Sequence, residues 1–555
     1  MNMNKLSIIA LMLTLGLTAG AEVKLPQILS DGMVVQQGRP LTLWGTADPG
    51  EQFEIKVVKG KKATVTTDSL GQWRAQLPPL KPGKKYTLEV GDKSIDNVAV
   101  GTVLLCSGQS NMELPVSRVL DRSYDTIMAY KNPDIRQFHV PNEVEFTGPQ
   151  ADVKPTRWQS ADTDDVLGFS AVAYWTARNI AKKTGTPVGI INASWGGTPI
   201  ESWISEETFE HMPADSSMNP GLFLAQKRVY NDPDYRKALK DQEWRNYQAW
   251  NTTIDANDPG LNGPVKYYSP ELDDSDWAEY DLFSTLWGND DQGPRNGSHW
   301  LRKTVTIDAD HAGKPGFIRM GCVIDADSVY INGRQVGFTS YQYPPRVYPI
   351  PEGLLKEGEN VITVRLISQN GTPMFMPEKP YKIIFGDRPY PYHDGRQADE
   401  IPLLGNWKYR QGAQMPKGPD MMFFCYLPSV LYNSMIAPVI KYPVEGVLWY
   451  QGESNVGRRK QYPALMKAWI DSWRAEAGDP AMPFYIVELA DYLHPSDKWA
   501  RVAWQEMRDL QRKACDEIPG ATLVPNADLG EWNDIHPLDK DILGARAAEL
   551  IIQGL

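Results

Sequence analysis

From Glu22 to about Val100 the chain runs in short apolar and polar alternations. Examples are Leu41-Thr42-Leu43-Trp44, Phe53-Glu54-Ile55-Lys56-Val57-Val58 and Tyr86-Thr87-Leu88-Glu89-Val90, separated by Asp48-Pro49-Gly50 and Lys81-Pro82-Gly83. Period-two alternation between turn residues predicts a small β-sandwich over 22–100. At Gly101 the pattern changes. Thr102-Val103-Leu104-Leu105-Cys106 and Val188-Gly189-Ile190-Ile191-Asn192 are apolar without alternation, as strands covered on both faces are. Helical spacing lies between them, from Ala171 to Lys183, so 101–263 reads as a parallel α/β unit. From about Pro264 strand signals return over 300–307, 327–336 and 360–366, with Asn332-Gly333 marking a type I′ hairpin. Residues 264–395 therefore read as a second β domain, of jelly-roll type. The α/β pattern then resumes over 396–555, with strands expected at 444–450, 484–489 and 521–525 and helices at 460–474, 500–518 and 538–553. One α/β domain interrupted by an inserted β domain accounts for this order.

Composition adds limits. The 555 residues carry 57 Lys and Arg against 69 Asp and Glu, a net charge of −12. With 42% apolar residues the chain has the makeup of a packed globular protein, which excludes disorder as its main state and excludes a multi-pass membrane protein. The acidic balance, without a Lys/Arg block, argues against a nucleic-acid or anionic-membrane partner. Lys5, the apolar run Leu6 to Leu17 and Ala19-Gly20-Ala21 read as a signal peptide over 1–21, so export to the periplasm or beyond is expected. Cys106, Cys322, Cys425 and Cys515 lack paired spacing. They suit buried thiols rather than a disulfide framework or a zinc site.

The chemistry-bearing blocks stand at predicted strand ends, where open parallel sheets place their sites. Cys106-Ser107-Gly108-Gln109-Ser110-Asn111-Met112 follows the first buried strand. A Ser at a tight strand-to-helix turn can expose its hydroxyl as a nucleophile; an N-capping Ser would look the same locally. A base must accompany it. Of the seven histidines, His536 in Asn533-Asp534-Ile535-His536-Pro537 has a carboxylate two residues away, a suitable orienting group. Asn192 to Pro199 and Trp449 to Asn455 follow two other strands. Their glycine N–H groups and amide side chains could hold an oxyanion, or the glycines could simply make turns.

Gly108-Gln109-Ser110-Asn111-Met112, Ser194-Trp195-Gly196-Gly197-Thr198, Trp449-Tyr450-Gln451-Gly452-Glu453-Ser454-Asn455 and Asp534-Ile535-His536-Pro537 together resemble the sialate O-acetylesterase family of SGNH-type hydrolases. That resemblance implies an SGNH-hydrolase (flavodoxin-like) three-layer domain carrying the N-terminal β-sandwich and a galactose-binding-like jelly-roll insert. It implies Ser110 as nucleophile and His536 as general base, with an oxyanion hole from the Ser110 amide, Gly196 and the Gln451 side chain. The family's usual acid position, three before the His, is Asn533 here. Asp534 is then the candidate acid, and both an atypical triad and a Ser–His dyad oriented by a backbone carbonyl stay open. Glu453 reads as structural or substrate-orienting.

The implied reaction is removal of O-acetyl groups from a sugar through an acetyl-enzyme, with no metal or organic cofactor. Sialate 9-O-acetyl groups are the family-level substrate, and Arg118, Arg458 and Arg459 are candidate partners for a sugar carboxylate. Acetylated xylan or xyloglucan is the alternative substrate. Two other classes are a glycosidase, which would need paired carboxylates, and a non-catalytic glycan-binding protein. Trp300 and Tyr330 in the insert would serve glycan binding or fill its core.

Overall fold

A computed structural model describes residues 22–214, 218–285, 287–290, 293–393 and 396–555. The leader expected over 1–21 lies outside the described residues. Seven strands form the central sheet: β1 (Lys93–Gly108), β2 (Asn132–His139), β3 (Trp158–Ala161), β4 (Val188–Ser194), β5 (Gly446–Tyr450), β6 (Phe484–Val487) and β7 (Ala521–Val524). Their order is β7-β6-β5-β1-β4-β2-β3, parallel except for the antiparallel edge strand β3. The residues of β4 and β5 are buried throughout, the pattern expected where helices cover both faces of parallel strands. Helices α2 (Ala171–Thr184) and α5 (Lys540–Gly554) pack together so closely that a Cβ on Gly544 would lie 2.5 Å from the Cβ of Trp175. Helices α3 (Tyr462–Ala477) and α4 (Lys498–Glu517) form a second pair. Trp449 of β5 packs on Trp469 and Trp473 of α3, with ring centroids 4.2 and 6.1 Å away.

The chain is mixed α/β with several sheets, and two of its joins differ from the sequence reading. β1 continues unbroken past Gly101. Its first half pairs antiparallel with Tyr86–Val90 and parallel with Val34–Gln36, and its second half lies between β4 and β5. Every residue from Val98 to Gly108 is buried, so nothing interrupts pairing at the expected boundary. In the N-terminal segment, Gln52–Val57 pairs with Lys62–Thr66 and Tyr86–Val90, while Leu41–Thr46 pairs separately with Gln72–Leu77.

The second β region contains an antiparallel six-stranded sheet and a four-stranded sheet, with Leu301, Ile318, Val329, Val364 and Ile383 in a shared core. Asp399–Pro402 and Asn406–Gln414 belong to these sheets, beyond the expected limit at 395. Trp407 and Tyr409 point their alternate apolar positions into that core. At the expected hairpin, Asn332 and Gly333 both take positive φ, 49° and 84°, as a type I′ turn demands. Trp300 is fully buried and donates its indole N–H to Asp258 at 2.9 Å, so it forms core and offers no sugar platform. All four cysteines are free; Cys106, Cys425 and Cys515 are buried, and Cys322 departs from expectation in being half-exposed. No helix among the described residues is long and apolar enough to cross a membrane.

Candidate active site

The carboxyl ends of β1, β4 and β5 lie side by side, with Gly108 in register with Ser194 on one side and Tyr450 on the other. The strand order reverses at β1, and a crevice opens there in sheets of this kind. Gly108 makes the exit from β1 possible. It has φ 139°, and a Cβ would fall 2.1 Å from the Tyr450 carbonyl oxygen. The chain then turns into the short helix α1 (Ser110–Glu113). Ser110 opens that turn.

His536 arrives from the loop between β7 and α5. Its Nε2 lies 2.8 Å from Ser110 Oγ, and the imidazole is buried. Burial, aided by the nearby charges of Lys540 and Arg118, pushes the imidazole down to about 3, so it is neutral at pH 7 and able to accept a proton. The loop is tightly held. Asp534 Oδ1 accepts the His536 backbone N–H at 2.9 Å, Glu531 accepts the Leu538 N–H at 2.8 Å, and Asn533 donates to the Pro377 carbonyl at 2.7 Å.

Asp534 does not complete a hydrogen-bonded triad in this structure. Its nearest oxygen is 3.9 Å from His536 Nδ1, and its other oxygen accepts from Lys379 Nζ at 3.1 Å. His536 Nδ1 is buried without a hydrogen-bond partner, so the carbonyl-oriented dyad is not formed either.

Two of the expected oxyanion donors, Gly196 and Gln451, are also engaged. The Gly196 N–H donates to Glu113 Oε2 at 2.6 Å, while Glu113 Oε1 accepts from Asn142 at 3.1 Å. Burial raises the Glu113 carboxyl above its ordinary range. Gly196 nevertheless sits against Ser110: a Cβ there would be 3.4 Å from Ser110 Cβ. Gln451 is fully buried. Its amide Nε2 donates to Asn455 Oδ1 at 2.7 Å and to Gln109 Oε1 and the Thr198 carbonyl at 3.2 Å, and its Oε1 accepts from Tyr462 at 3.0 Å. These bonds tie the loops after β1, β4 and β5 together and leave Gln451 no open donor facing the serine.

Residues 420–552 match the family model described as carbohydrate esterase, sialic acid-specific acetylesterase. The chain is similar to sialate O-acetylesterases. Those of Homo sapiens and Pongo abelii are each 29% identical over 257 residues, covering 41% of this chain and 49% of the relative. That of Mus musculus is 28% identical over 219 residues, covering 35% and 39%. The matched region thus spans about half or less of these curated relatives. Among solved structures, a carbohydrate acetylesterase from Xanthomonas citri aligns over 96% of this chain and 76% of its own at a TM-score of 0.55 and 22% identity, a likeness of fold. The sialic acid-specific acetylesterase model covers Gln451, Glu453, Asp534 and His536, whereas Ser110 and Gly196 lie before it.

Beside the residues that carry the acetylesterase resemblance, others hold the site together without having been singled out in the sequence. Asn111 donates to Glu453 Oε1 at 2.7 Å and to the Ile535 carbonyl at 2.8 Å, and accepts from Lys540 Nζ at 2.8 Å. It therefore bridges the Ser110 turn, the β5 loop and the residue before His536. Lys540, fully buried, is lowered by desolvation to about 8, and the buried Glu453 carboxyl is raised for the same reason. Gln109 Oε1 accepts from the Gly452 and Ser454 N–H groups at 3.3 and 3.2 Å. Asn111 stood inside the Ser110 block and Glu113 directly after it, so both could have been found as polar residues beside the serine. Tyr343 had no local signal. It comes from the β insert and sets its ring edge-on to His536 at 5.1 Å, while its carbonyl accepts from Arg118 at 2.8 Å.

Proposed function

We propose that the chain is a serine O-acetylesterase acting on acetylated sugars. The observation that carries the reading is the 2.8 Å contact between Ser110 Oγ and a buried, neutral His536 at the joined ends of three parallel strands. The match of residues 420–552 to a carbohydrate esterase model supports the same chemistry. In the proposed reaction His536 Nε2 takes the Ser110 proton as Oγ attacks the acetyl carbonyl. The imidazolium then protonates the departing sugar oxygen, and water hydrolyses the acetyl-enzyme by the reverse proton path. The Ser110 and Gly196 N–H groups are the donors nearest the developing oxyanion, and the Gly196 donor becomes available when Glu113 releases it. Asp534 is the proposed acid. Leaving Lys379 and turning to Nδ1 would let it stabilise the imidazolium.

The proposed substrate class is 9-O-acetylated sialic acid. Arg118 supports it: this cation stands near enough to His536 to depress its protonation, and among the described residues no carboxylate pairs with it. A sugar carboxylate would complete that guanidinium. The leader read in residues 1–21 supports an exported enzyme. Acetate release from 9-O-acetyl sialic acid, acetylated xylan and acetylated xyloglucan, each with Ser110→Ala alongside, tests the reading. Release from the sialate that vanishes in the variant is the expected result. Release that survives Ser110→Ala removes the nucleophile assignment, and release only from the neutral polymers replaces the substrate class.

A further inference from the structure

The loop that brings Gly196 against Ser110 runs on into a groove of about 690 Å³, within the range of about 300–1,000 Å³ usual for small-molecule sites. It starts at Gly197, the residue after Gly196. One wall is the segment carrying Phe423 and Tyr426; the other carries Pro199, Ser454 and Arg458. Phe423 and Tyr426 stack on each other with centroids 5.2 Å apart and planes 25° from parallel, yet they are 51% and 40% exposed. The Tyr426 hydroxyl presses against Gly197, where a Cβ would come within 2.2 Å of it. A stacked pair of large rings left facing water beside a groove suits a binding surface.

The polar wall has its own logic. Glu201, 2% exposed, accepts from Arg458 at 3.0 Å and from Asn455 at 2.9 Å. This pair cancels its charge locally, while the half-exposed guanidinium keeps further N–H donors. Ser454 Oγ donates to the Gly197 carbonyl at 2.8 Å, fixing the groove floor to the loop beside the nucleophile. Flat exposed rings facing a neutral pair of hydrogen-bonding groups suit a pyranose, whose C–H face can lie on the rings while its hydroxyls reach the polar wall. A carboxylate would find its guanidinium already opposed by Glu201.

We propose that this groove is a subsite for the neutral sugar joined to the acetylated one, so that the protein acts on oligosaccharides rather than on free acetylated monosaccharides. Its use in catalysis rests on the esterase reading; its binding of sugar does not. Two matched pairs test it: 9-O-acetyl sialic acid against 9-O-acetyl-sialyllactose, and acetylated xylose against acetylated xylotetraose. The expected result is a kcat/KM about tenfold higher for the longer member of the accepted pair, with the difference in KM. That preference falls to near unity in Phe423→Ala and is largely kept in Tyr426→Phe, which retains the ring. A wild-type ratio near one, or a ratio unmoved by Phe423→Ala, overturns the proposal.

Binding is read separately, by saturation-transfer NMR with deacetylated sialyllactose and xylotetraose on the Ser110→Ala protein. Transfer to the sugar that is lost on adding Phe423→Ala supports the subsite even if no acetyl ester, p-nitrophenyl acetate included, is hydrolysed and the esterase reading has failed. Absence of transfer to both sugars overturns the subsite while leaving the esterase reading untouched.

Discussion

His536 is buried as a neutral ring, and this fixes how the protein answers acid. In the unfolded chain an imidazole titrates near 6.5, whereas burial holds His536 down to about 3. Between these values the unfolded state binds a proton that the native state refuses. The contribution is therefore fully present above about pH 6.5 and is lost as pH falls towards 3. His536→Gln should flatten that part of the stability curve in urea titrations at pH 7, 5 and 4; an unchanged slope would mean that another group sets it. The same shift predicts that kcat/KM shows no acid limb near 6.5. Glu113 makes a second case at this scale. Glu113→Ala removes the acceptor of the half-buried Gly196 N–H and should cost about 1–3 kcal/mol, the range for a hydrogen bond to a charged group, whereas Glu113→Gln keeps an acceptor and should recover most of it in thermal melts. Equal losses in the two variants would show that the charge, and not the acceptor, matters. Ser110 and His536 could be picked from sequence because each stands in a short block at the end of an element. The direction of Gln451 could not, since it is set by Asn455, Gln109, Thr198 and Tyr462, which come from four segments.

Among the elements, β1 carries the tightest constraint. Its last residue has no room for a side chain beside the Tyr450 carbonyl and sits at a φ that side chains disfavour. Gly108→Ala should give a protein that melts far below the wild type, or fails to fold, when followed by circular dichroism. A melt within a few degrees of wild type would mean that β5 can move aside. The bridge through Asn111 links elements in the same way. Asn111→Ala and Lys540→Met should be non-additive, with a coupling of about 0.5–3 kcal/mol in a double-mutant cycle, because each removes part of one buried network. Most buried strands and amphipathic helices were legible to within a few residues because apolar runs and helical spacing are local properties, although the strand Asn132–His139 and the helix Pro233–Asn257 drew no reading. The continuation of β1 through Gly101 was not, because an all-buried stretch reads alike whichever sheet it joins. Tryptophans also serve the α/β core rather than a sugar surface: Trp203, Trp449, Trp469 and Trp473 are fully buried.

At the scale of the molecule, the β insert is strapped to the α/β part by ion pairs. Arg319 meets Asp121 at 2.6 Å, Arg388 pairs with Asp125, and Lys379 holds both Glu531 at 2.7 Å and Asp534 at 3.1 Å. The last of these has a chemical outcome. Lys379 competes with His536 for one carboxylate, so Lys379→Met should free Asp534 to turn towards Nδ1 and raise the imidazole's pKa. The acid limb of kcat/KM should then move to higher pH; a profile identical to wild type would show that Asp534 is held by its bond to the His536 backbone alone. These straps were not legible in the sequence, since each partner is an ordinary surface-type residue until the fold brings it more than 150 positions along the chain to its counterion.

β1 and β5 are neighbours in the sheet, yet the whole β insert is synthesised between them, and the serine and its histidine are separated by 426 positions. Contacts so distant along the chain close late. A nascent copy carries Ser110 through almost all of its synthesis without a base beside it. The contact forms only when the segment holding His536 reaches the sheet, and an unfinished or unfolded chain lacks the Ser110–His536 pair that the proposed reaction needs.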